Sequence, residues 1–300
     1  MKFEVRGFFY TVITTIINPC LQRDKNLCFF KFRFDNNFED RTSNIKPLME
    51  IVIIGTGNTA TVLGRKLKEA GHNIVQVFGR DTSAASKLAY ELNTESTNYW
   101  NIVYREADLY ILAVSDIAIE EVLRELQLPH RTIVHTAASV SKNVLKNKAQ
   151  HFGVFYPLQS LRKEISHLPD IPIVIDASDE STLKELETLA QSISDKVVEA
   201  GDEERMKLHL AAVIVNNFAN HLYALAESYC NSEGIDFTLL IPLIKETAER
   251  LEYISPSQSQ TGPALRNDRD TIEKHTELLK KYPHLKKIYE TFTESIYTSR

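Results

Sequence analysis

The hydrophobic pattern of residues 49–80 predicts a strand, a glycine turn, a helix and a second strand. The run 51–54 is β-branched throughout and too short for a typical helix, which favours a strand buried on both faces. Apolar residues then recur at helical spacing up to Gly71, which is a typical helix stop, and 74–78 is a second apolar run.

The alternation of strand and helix continues to about residue 200. The pattern predicts helices at 82–92, begun by Thr82 or Ser83, and at 117–126 and 181–193, with strands at 107–114, 132–135, 154–156, 173–175 and 196–199. Because the glycine turn comes first and only once, the alternation favours a doubly wound α/β domain over a barrel. We therefore predict one Rossmann domain over residues 49–200.

After Gly201 the pattern changes to long helical segments without strand signals. Asp202 is predicted to cap a helix from Glu203 to about Cys230. The middle of this helix is apolar nearly all round, which implies burial between domains or subunits. Residues 201–300 are therefore predicted to form an all-α substrate and dimerisation domain, and the protein a homodimer.

The first 48 residues differ from the rest of the chain. They are rich in phenylalanine, show no sustained period and lack a convincing signal-peptide cleavage site. Because Met49 immediately precedes the first predicted strand, we predict that 1–48 is an extension outside the fold, either disordered or upstream of the true start.

Composition narrows the class of partner. With 300 residues and 43% hydrophobic content the chain can bury sizeable cores, and a net charge of −5 without a basic block argues against a nucleic-acid surface. The apolar run 8–17 is too short to span a bilayer, so we expect no membrane partner. Cys20, Cys28 and Cys230 have neither paired nor metal-like spacing, so we expect no metal site, a reduced cytoplasmic protein and a small-molecule substrate.

The turn after the first strand carries the strongest chemical signal. Its sequence is G-x-G-x-x-A, in which the first glycine permits the tight turn, the second lets the backbone approach a pyrophosphate, and alanine keeps helix and strand close. The phosphates would lie at the helix N-terminus. The predicted cofactor-binding residues of this turn are Gly55, Thr56, Gly57, Asn58, Thr59 and Ala60.

Residues after two other strands refine the prediction of which cofactor binds and how it is oriented. An NAD enzyme would usually carry an acid at the end of the second strand, where this chain has Gly79 followed by Arg80, an arrangement that fits the 2′-phosphate of NADP better. The alternative is that Arg80 is a solvated loop cation. Ala113, Val114 and Ser115 end a later strand, so we expect them near the nicotinamide half of the dinucleotide.

Candidate catalytic and substrate groups follow other strands and lie on the long helix. His135 ends a predicted strand and is a candidate proton donor, or a histidine hydrogen-bonded beneath the sheet. His209 is a second candidate donor, with Asn216 and Asn217 as substrate-binding residues; each of these is alternatively a satisfied structural polar group. Tyr156, Gln159 and Ser160 are candidate pocket residues at the same sheet edge, and loop packing would explain them too.

One irregular stretch interrupts the helical half. Gly262 and Pro263 forbid regular helix there, and Arg266 could hold a substrate carboxylate or phosphate. The alternative is an ordinary interhelical loop with a cap at Asp268 or Asp270. The substrate-binding residues predicted in this stretch are Thr261, Gly262, Pro263, Arg266 and Asp268.

The motifs together carry a family resemblance. GTGNTATVLG, FGRD, ADLYILAVSD, IVHTAASVS, GVFYPLQSL, KLHLAAVIVNNFANHL and TGPALRND, in this order, resemble Rossmann-like short-subunit dehydrogenase-like oxidoreductases with a C-terminal domain of unknown function. That family is distantly similar to pyrroline-5-carboxylate reductase, deazaflavin-dependent NADP reductases and β-hydroxyacid dehydrogenases. The resemblance covers the chain from Met49 onward. It implies NADP at Gly55, Gly57, Ala60 and Arg80, and an all-α C-terminal domain of the 6-phosphogluconate dehydrogenase type.

The resemblance does not supply a mechanism. The lysine and asparagine pair of β-hydroxyacid dehydrogenases has no counterpart at their spacing around Lys207, and Tyr156 stands where many relatives carry histidine. We expect an NADP-dependent oxidoreductase that transfers a hydride between nicotinamide and a C=O or C=N carbon of a small anionic substrate. The alternative is a non-catalytic NADP-binding sensor or partner protein on a dehydrogenase fold.

Overall fold

The computed structural model describes residues 48–299, in which an eight-stranded sheet with flanking helices precedes a helical half. The prediction that residues 1–48 form an extension lies outside the described residues, apart from Leu48.

The strand order confirms the doubly wound fold. The strands follow the order β3-β2-β1-β4-β5-β6-β7-β8, so the chain builds outward from β1 in both directions. The strands are β1 Glu50–Ile54, β2 Asn73–Phe78, β3 Glu95–Thr97, β4 Leu109–Leu112, β5 Leu128–His135, β6 Ala149–Pro157, β7 Ile173–Ala177 and β8 Val197–Glu199. β3 lies in the connection for which the sequence pattern predicts no regular structure.

The pairing of β6 with β7 is antiparallel, whereas every other neighbouring pair in this sheet is parallel. A parallel return requires a crossover of a dozen or more residues, usually a helix. The described chain has no helix or strand between Pro157 and Ile173. The chain instead re-enters the sheet at the end where β6 stops, and Leu158, Gln159 and Ser160 at the start of this loop line a cavity described below.

Helices cover both faces of the sheet, as the β-branched run of β1 predicts. Ile51 and Ile53 pack in one core cluster, and Val52 and Ile54 pack in the other. The helices of this half are α1 Asn58–Glu69, α2 Thr82–Leu92, α3 Ile119–Glu125 and α4 Glu180–Ile193. The first, second and fourth contribute to the first cluster and α3 to the second, so the central strands are sandwiched.

The helical half begins with one long, interrupted helix. Its parts are α5 Asp202–Ala212, a π-helical stretch Val213–Phe218, and α6 Ala219–Ser232. The prediction that Asp202 caps this helix is wrong: Gly201 is the N-cap, and its N–H donates to the Glu204 carboxylate at 3.3 Å. The remaining helices are α7 Ile241–Glu249, α8 Pro256–Ser259, α9 Pro263–Arg266, α10 Arg269–Leu278 and α11 Pro283–Thr298.

The helical half buries very little of its own surface. Between residues 206 and 299 the buried positions are Cys230, Ala264 and Leu279. Large apolar side chains of the long helix face outward, among them Leu210 and Phe218. Across residues 48–299, no helix combines the length and the apolar character that crossing a membrane requires.

Candidate functional site

The two glycines of the turn after β1 serve different purposes. Gly55 has φ +128°, and a Cβ there would overlap the Ala113 carbonyl, so this position admits glycine for reasons of packing. Gly57 is the N-cap of α1 in an extended conformation, and a Cβ there would meet no atom within 4 Å. The open side of Gly57 and the absence of acidic residues from the first turn of α1 fit a bound pyrophosphate.

A first cavity of about 420 Å³ opens beside this turn, between the carboxyl ends of β1, β2 and β4. Of the predicted cofactor residues it is lined by Gly55, Thr56, Gly57, Arg80, Ala113, Val114 and Ser115. The other three lie elsewhere: Ala60 is on the buried face of α1, Thr59 lines a second cavity, and the Asn58 side chain accepts the Lys163 N–H at 3.3 Å.

After β2 the chain offers the cofactor ribose the cation of Arg80 but no acidic side chain that is free to bind it. A Cβ at Gly79 would lie 2.5 Å from Thr56 Cγ2, so no acidic residue fits there. Helix α2 begins at Thr82, as predicted, and Asp81 before it is the N-cap, which accepts the Ala84 N–H at 3.0 Å. Arg80 is exposed and lies 3.4 Å from the Glu121 carboxylate across the cavity mouth.

The first cavity is also lined by an aromatic pair, which the sequence pattern does not predict. Phe78 and Trp100 stack with ring centroids 3.7 Å apart, and both line the cavity. Trp100 follows β3 in the irregular connection, so its position depends on pairing between distant segments. It is the only tryptophan in the chain, and its fluorescence therefore reports on this cavity alone.

A second cavity of about 560 Å³ lies between the glycine turn, the end of β6 and the long helix. Thr59 contributes from the turn side and Thr136 from the end of β5. The predicted pocket residues that line it are Tyr156, Gln159, Ser160, His209, Asn216 and Asn217. The structure thus brings together polar groups from both halves of the chain that the sequence separates by about fifty residues.

Both asparagines that line this cavity lie in the π-helical part of the long helix. Asn216 and Asn217 fall within Val213–Phe218, where the helix is wider than an α-helix. π-helical turns occur frequently at functional sites.

His135 occupies a different environment from His209. It is fully buried, it lines neither cavity, and its Nδ1 accepts the Ala137 N–H at 3.2 Å. Burial, with the nearby Arg205 charge, lowers the pKa of His135 to about 4, so the ring is neutral at pH 7. This is the environment of a histidine beneath the sheet, and we do not retain His135 as a proton donor.

Arg205 holds the helical half against the sheet and is absent from the sequence predictions. It is 1% exposed; its Nε donates to the Ala138 carbonyl at 3.1 Å, and its Nη2 donates to the Val140 carbonyl and the Asp202 carboxylate, both at 2.7 Å. A cation in the first turn of a helix opposes the helix dipole. That mismatch, after three consecutive acidic residues, is the sequence signal that could have identified it.

The irregular stretch of the helical half lies outside both cavities. Gly262, with φ +110°, precedes α9, which begins at Pro263 and ends at Arg266. Asp268 is the N-cap of α10 and accepts the Thr271 N–H at 3.1 Å, as the interhelical alternative predicts. Within a single chain neither Thr261 nor the other predicted substrate residues of this stretch contribute to the second cavity.

Sequence profiles of two families match the chain. Residues 50–139 match the family described as NADP oxidoreductase, coenzyme F420-dependent, and residues 171–296 match the domain of unknown function DUF2520. A glutamyl-tRNA reductase of Methanosphaera stadtmanae is 22% identical over 255 residues, which are 81% of this chain. The chain spans 62% of the length of that curated relative.

Solved structures match the fold over most of the chain. A 1-pyrroline-5-carboxylate reductase of Streptococcus pyogenes (16% identity, TM-score 0.56, 84% of this chain and 99% of that one) shares it. So does a reductive aminase of Aspergillus terreus in complex with NADPH and ethyl-5-oxohexanoate (16% identity, TM-score 0.59, 83% and 95%).

A candidate NADP oxidoreductase of Bacteroides fragilis is far more similar. Its structure is 37% identical with a TM-score of 0.79, over 84% of this chain and 98% of that one. The predicted family is therefore confirmed: the chain belongs to the family of Rossmann-fold NADP-oxidoreductase-like proteins with a C-terminal DUF2520 domain that includes the Bacteroides fragilis protein.

Proposed function

We propose that this protein is an NADP-dependent oxidoreductase that transfers a hydride between nicotinamide and a C=O or C=N carbon of a small anionic substrate. A cytoplasmic location, expected from the spacing of the cysteines in the sequence, is part of the proposal. When bound, NADP supplies the hydride chemistry, and the protein fixes geometry and handles the proton. The structural neighbours named as reductases support the reaction class through their shared fold.

The observation that carries the proposal is that one glycine turn borders both cavities. Thr56 and Gly57 line the first cavity, and Thr59, two residues further, lines the second. A dinucleotide whose pyrophosphate lies on this turn would extend in both directions from it. The first cavity, with Arg80, suits the adenosine half, and the second suits the reacting half with its substrate.

The second cavity suits a small substrate bound by hydrogen bonds. Its volume lies within the ordinary range for small-molecule sites. Asn216, Asn217 and Ser160 offer amide and hydroxyl donors to a carboxylate, and no lysine or arginine is among the residues that line the cavity. These neutral donors can bind either a carboxylate or an amide oxygen, so the anionic substrate of the proposal needs its own test: 2-oxo or 2-imino acids should be better substrates than the corresponding amides.

The reaction class is tested by NADPH oxidation with a panel of ketones, imines and their acid derivatives, followed at the nicotinamide absorbance. Turnover of at least one member supports the enzyme. Tight NADPH binding, read from Trp100 fluorescence, without turnover of any member favours the non-catalytic sensor instead.

Preference for NADP is proposed from Arg80, because Asp81 is engaged as a helix cap and Gly79 excludes an acid. Replacing Arg80 by methionine removes the cation that would pair with the 2′-phosphate. Hydrogen bonds to charged groups are worth about 1.5–3 kcal/mol, so NADPH affinity should fall about 10- to 100-fold. NADH affinity should change little. Fluorescence titration of Trp100 with each cofactor measures both constants.

Glu121 provides the matched control for this measurement. It lines the same cavity and is the carboxylate partner of Arg80, so E121Q removes a competitor for the cation and a charge that repels phosphate. E121Q should bind NADPH as tightly as the unaltered protein, or more tightly. If R80M weakened NADH and NADPH equally, Arg80 would not be the group that selects NADP.

A homodimer through the helical half is proposed from the burial pattern. Leu210, Ile214 and Phe218 recur along the outer side of the long helix and are 59%, 52% and 57% exposed. A helix that is apolar nearly all round is expected in an interior, and this half buries almost nothing within one chain. A second copy presenting the same surface would supply the missing core symmetrically.

Charge placed on this surface should separate the proposed dimer. In sedimentation velocity the unaltered protein should have twice the chain mass of 34.2 kDa, and F218E should shift toward the monomer. Tyr90 on α2 is 89% exposed and far along the chain from this surface, so Y90E serves as the control and should remain dimeric. A monomeric unaltered protein would contradict the proposal.

A further inference from the structure

A hydrogen-bonded pair joins the two halves of the chain inside the second cavity. Tyr156 comes from the end of β6 and His209 from α5, and the Tyr156 Oη lies 3.0 Å from the His209 Nδ1. Their rings meet edge to face, with centroids 6.0 Å apart and planes at 75°. Both side chains are half-buried and both line the cavity.

The sheet fixes the direction of Tyr156. Side chains alternate along a strand, and the preceding Phe155 is fully buried in the core cluster beneath the sheet. Tyr156 pairs with Val174 on β7 and therefore points to the opposite side, toward α5. Arg205, one helical turn before His209, anchors α5 to the Ala138 and Val140 carbonyls, so the partner of Tyr156 is also held in place.

The surroundings keep a proton on the Tyr156 oxygen. Burial raises the pKa of Tyr156, the positive charge of Arg205 opposes this effect, and the Asp116 carboxylate adds to it. The charged groups that act on the phenol are thus one cation and one carboxylate from the neighbouring elements, together with the imidazole of His209. At neutral pH the phenol is protonated and can act as an acid.

The hydrogen bond can run in either direction, depending on the charge of His209. When the imidazole is neutral, the phenol donates to Nδ1 and the remaining ring proton is on Nε2. When the imidazole is protonated, Nδ1–H donates to the phenol oxygen. In that second state the phenolic O–H is free to donate into the cavity, and the next proton is already hydrogen-bonded to the same oxygen.

We propose that Tyr156 is the residue that protonates the substrate and that His209 supplies the replacement proton. This inference rests on the proposed function. His209, which the sequence indicates as the donor to the substrate, is instead assigned as the donor to Tyr156.

The proposed step moves two protons in sequence, one to the substrate and one to the phenol. As the substrate carbon receives the hydride, the π pair of its C=O or C=N bond moves to the heteroatom, which takes the Tyr156 proton. The Nδ1–H bond of His209 then breaks, and its proton restores the phenol. Neutral His209 regains a proton from solvent, so each turnover consumes one hydride and one proton.

The test compares Y156F with H209Q and with Y90F, an exposed tyrosine outside both cavities. General acids contribute about 10²- to 10⁴-fold, so Y156F should lower kcat by at least about 100-fold. H209Q keeps the Tyr156 hydroxyl that protonates the substrate, so it should lower kcat less than Y156F does. Y90F should match the unaltered protein, and Trp100 titrations should give the same NADPH Kd for all three variants. Y156F turnover within about threefold of the unaltered protein would overturn the proposal.

A measurement made without substrate tests the Tyr156–His209 pair independently of the proposed reaction. Nitrogen NMR of ¹⁵N-histidine-labelled protein, recorded across pH with H209Q assigning the signal, should show that whenever His209 is neutral its proton is on Nε2 because Nδ1 accepts the Tyr156 hydroxyl, and Y156F should abolish that preference. An unchanged His209 signal in Y156F would overturn the inference even if the enzyme is active. Failure of the whole substrate panel would overturn the hydride-transfer function, and with it the donor role, even if the NMR shift is seen.

Discussion

The variant G57V is expected to fold normally and to lose NADPH binding by about 100-fold or more. A Cβ at Gly57 meets no protein atom within 4 Å, and the backbone there is extended with φ −79°, a conformation that valine adopts readily. The space that the side chain would enter is where the second glycine of the motif lets a pyrophosphate approach the backbone. A 100-fold loss corresponds to about 2.7 kcal/mol of binding free energy. Quenching of Trp100 by NADPH measures the loss.

A second N-cap glycine supplies the matched control. Gly201 begins α5 with φ −66° and an extended backbone, and a Cβ there also meets nothing within 4 Å. It lines neither cavity, so G201V should keep the NADPH affinity of the unaltered protein. Equal thermal unfolding of G57V and G201V would show that both fold. NADPH binding by G57V at unaltered affinity would remove the glycine turn from the cofactor site.

Local pattern was sufficient to predict the turn, the first strands and the position of the long helix. The β-branched run 51–54 and the glycines act over a few residues, and their environment in a doubly wound sheet is nearly independent of the rest of the chain. The cap of the long helix was less well predicted. It is Gly201, one residue before the predicted Asp202, because several neighbouring polar residues can each satisfy the first turn.

The sequence was sufficient to predict several of the residues that line the second cavity, but not how they are arranged in space. His209, Asn216 and Asn217 have helical spacing, but the π-helical stretch that contains both asparagines leaves no clear pattern in the sequence. The contact of Tyr156 with His209 depends on the antiparallel β6–β7 edge and on the docking of α5. Both arise from contacts between segments far apart in the chain, and the hydrophobic periodicity within one segment does not predict such contacts.

Arg205 is the residue whose loss should destabilise the fold most among the polar groups of the site. R205M keeps much of the aliphatic volume but removes the guanidinium, which leaves the Ala138 and Val140 carbonyls without this donor and Asp202 without its cation. Asp202 is 44% exposed and water can solvate it, so the cost comes mainly from the two carbonyls. An acceptor left without its donor costs about 1–3 kcal/mol, which is about 2–6 kcal/mol for two. For domains of this size that corresponds to a fall in Tm of about 4–24 °C, measured by thermal unfolding.

Lys207 shows why burial decides the size of this effect. It lies on the same helix two residues further and forms an ion pair with Glu203, but its side chain is 71% exposed, against 1% for Arg205. Water solvates either partner of an exposed pair, so such pairs are worth about 0–1 kcal/mol, and K207M should lower Tm by less than about 4 °C. A Tm of R205M within the range of K207M would mean that the buried guanidinium does not stabilise the joint between the sheet and α5. In that case the alignment of His209 with Tyr156 would have to depend on the apolar contacts of the helix instead.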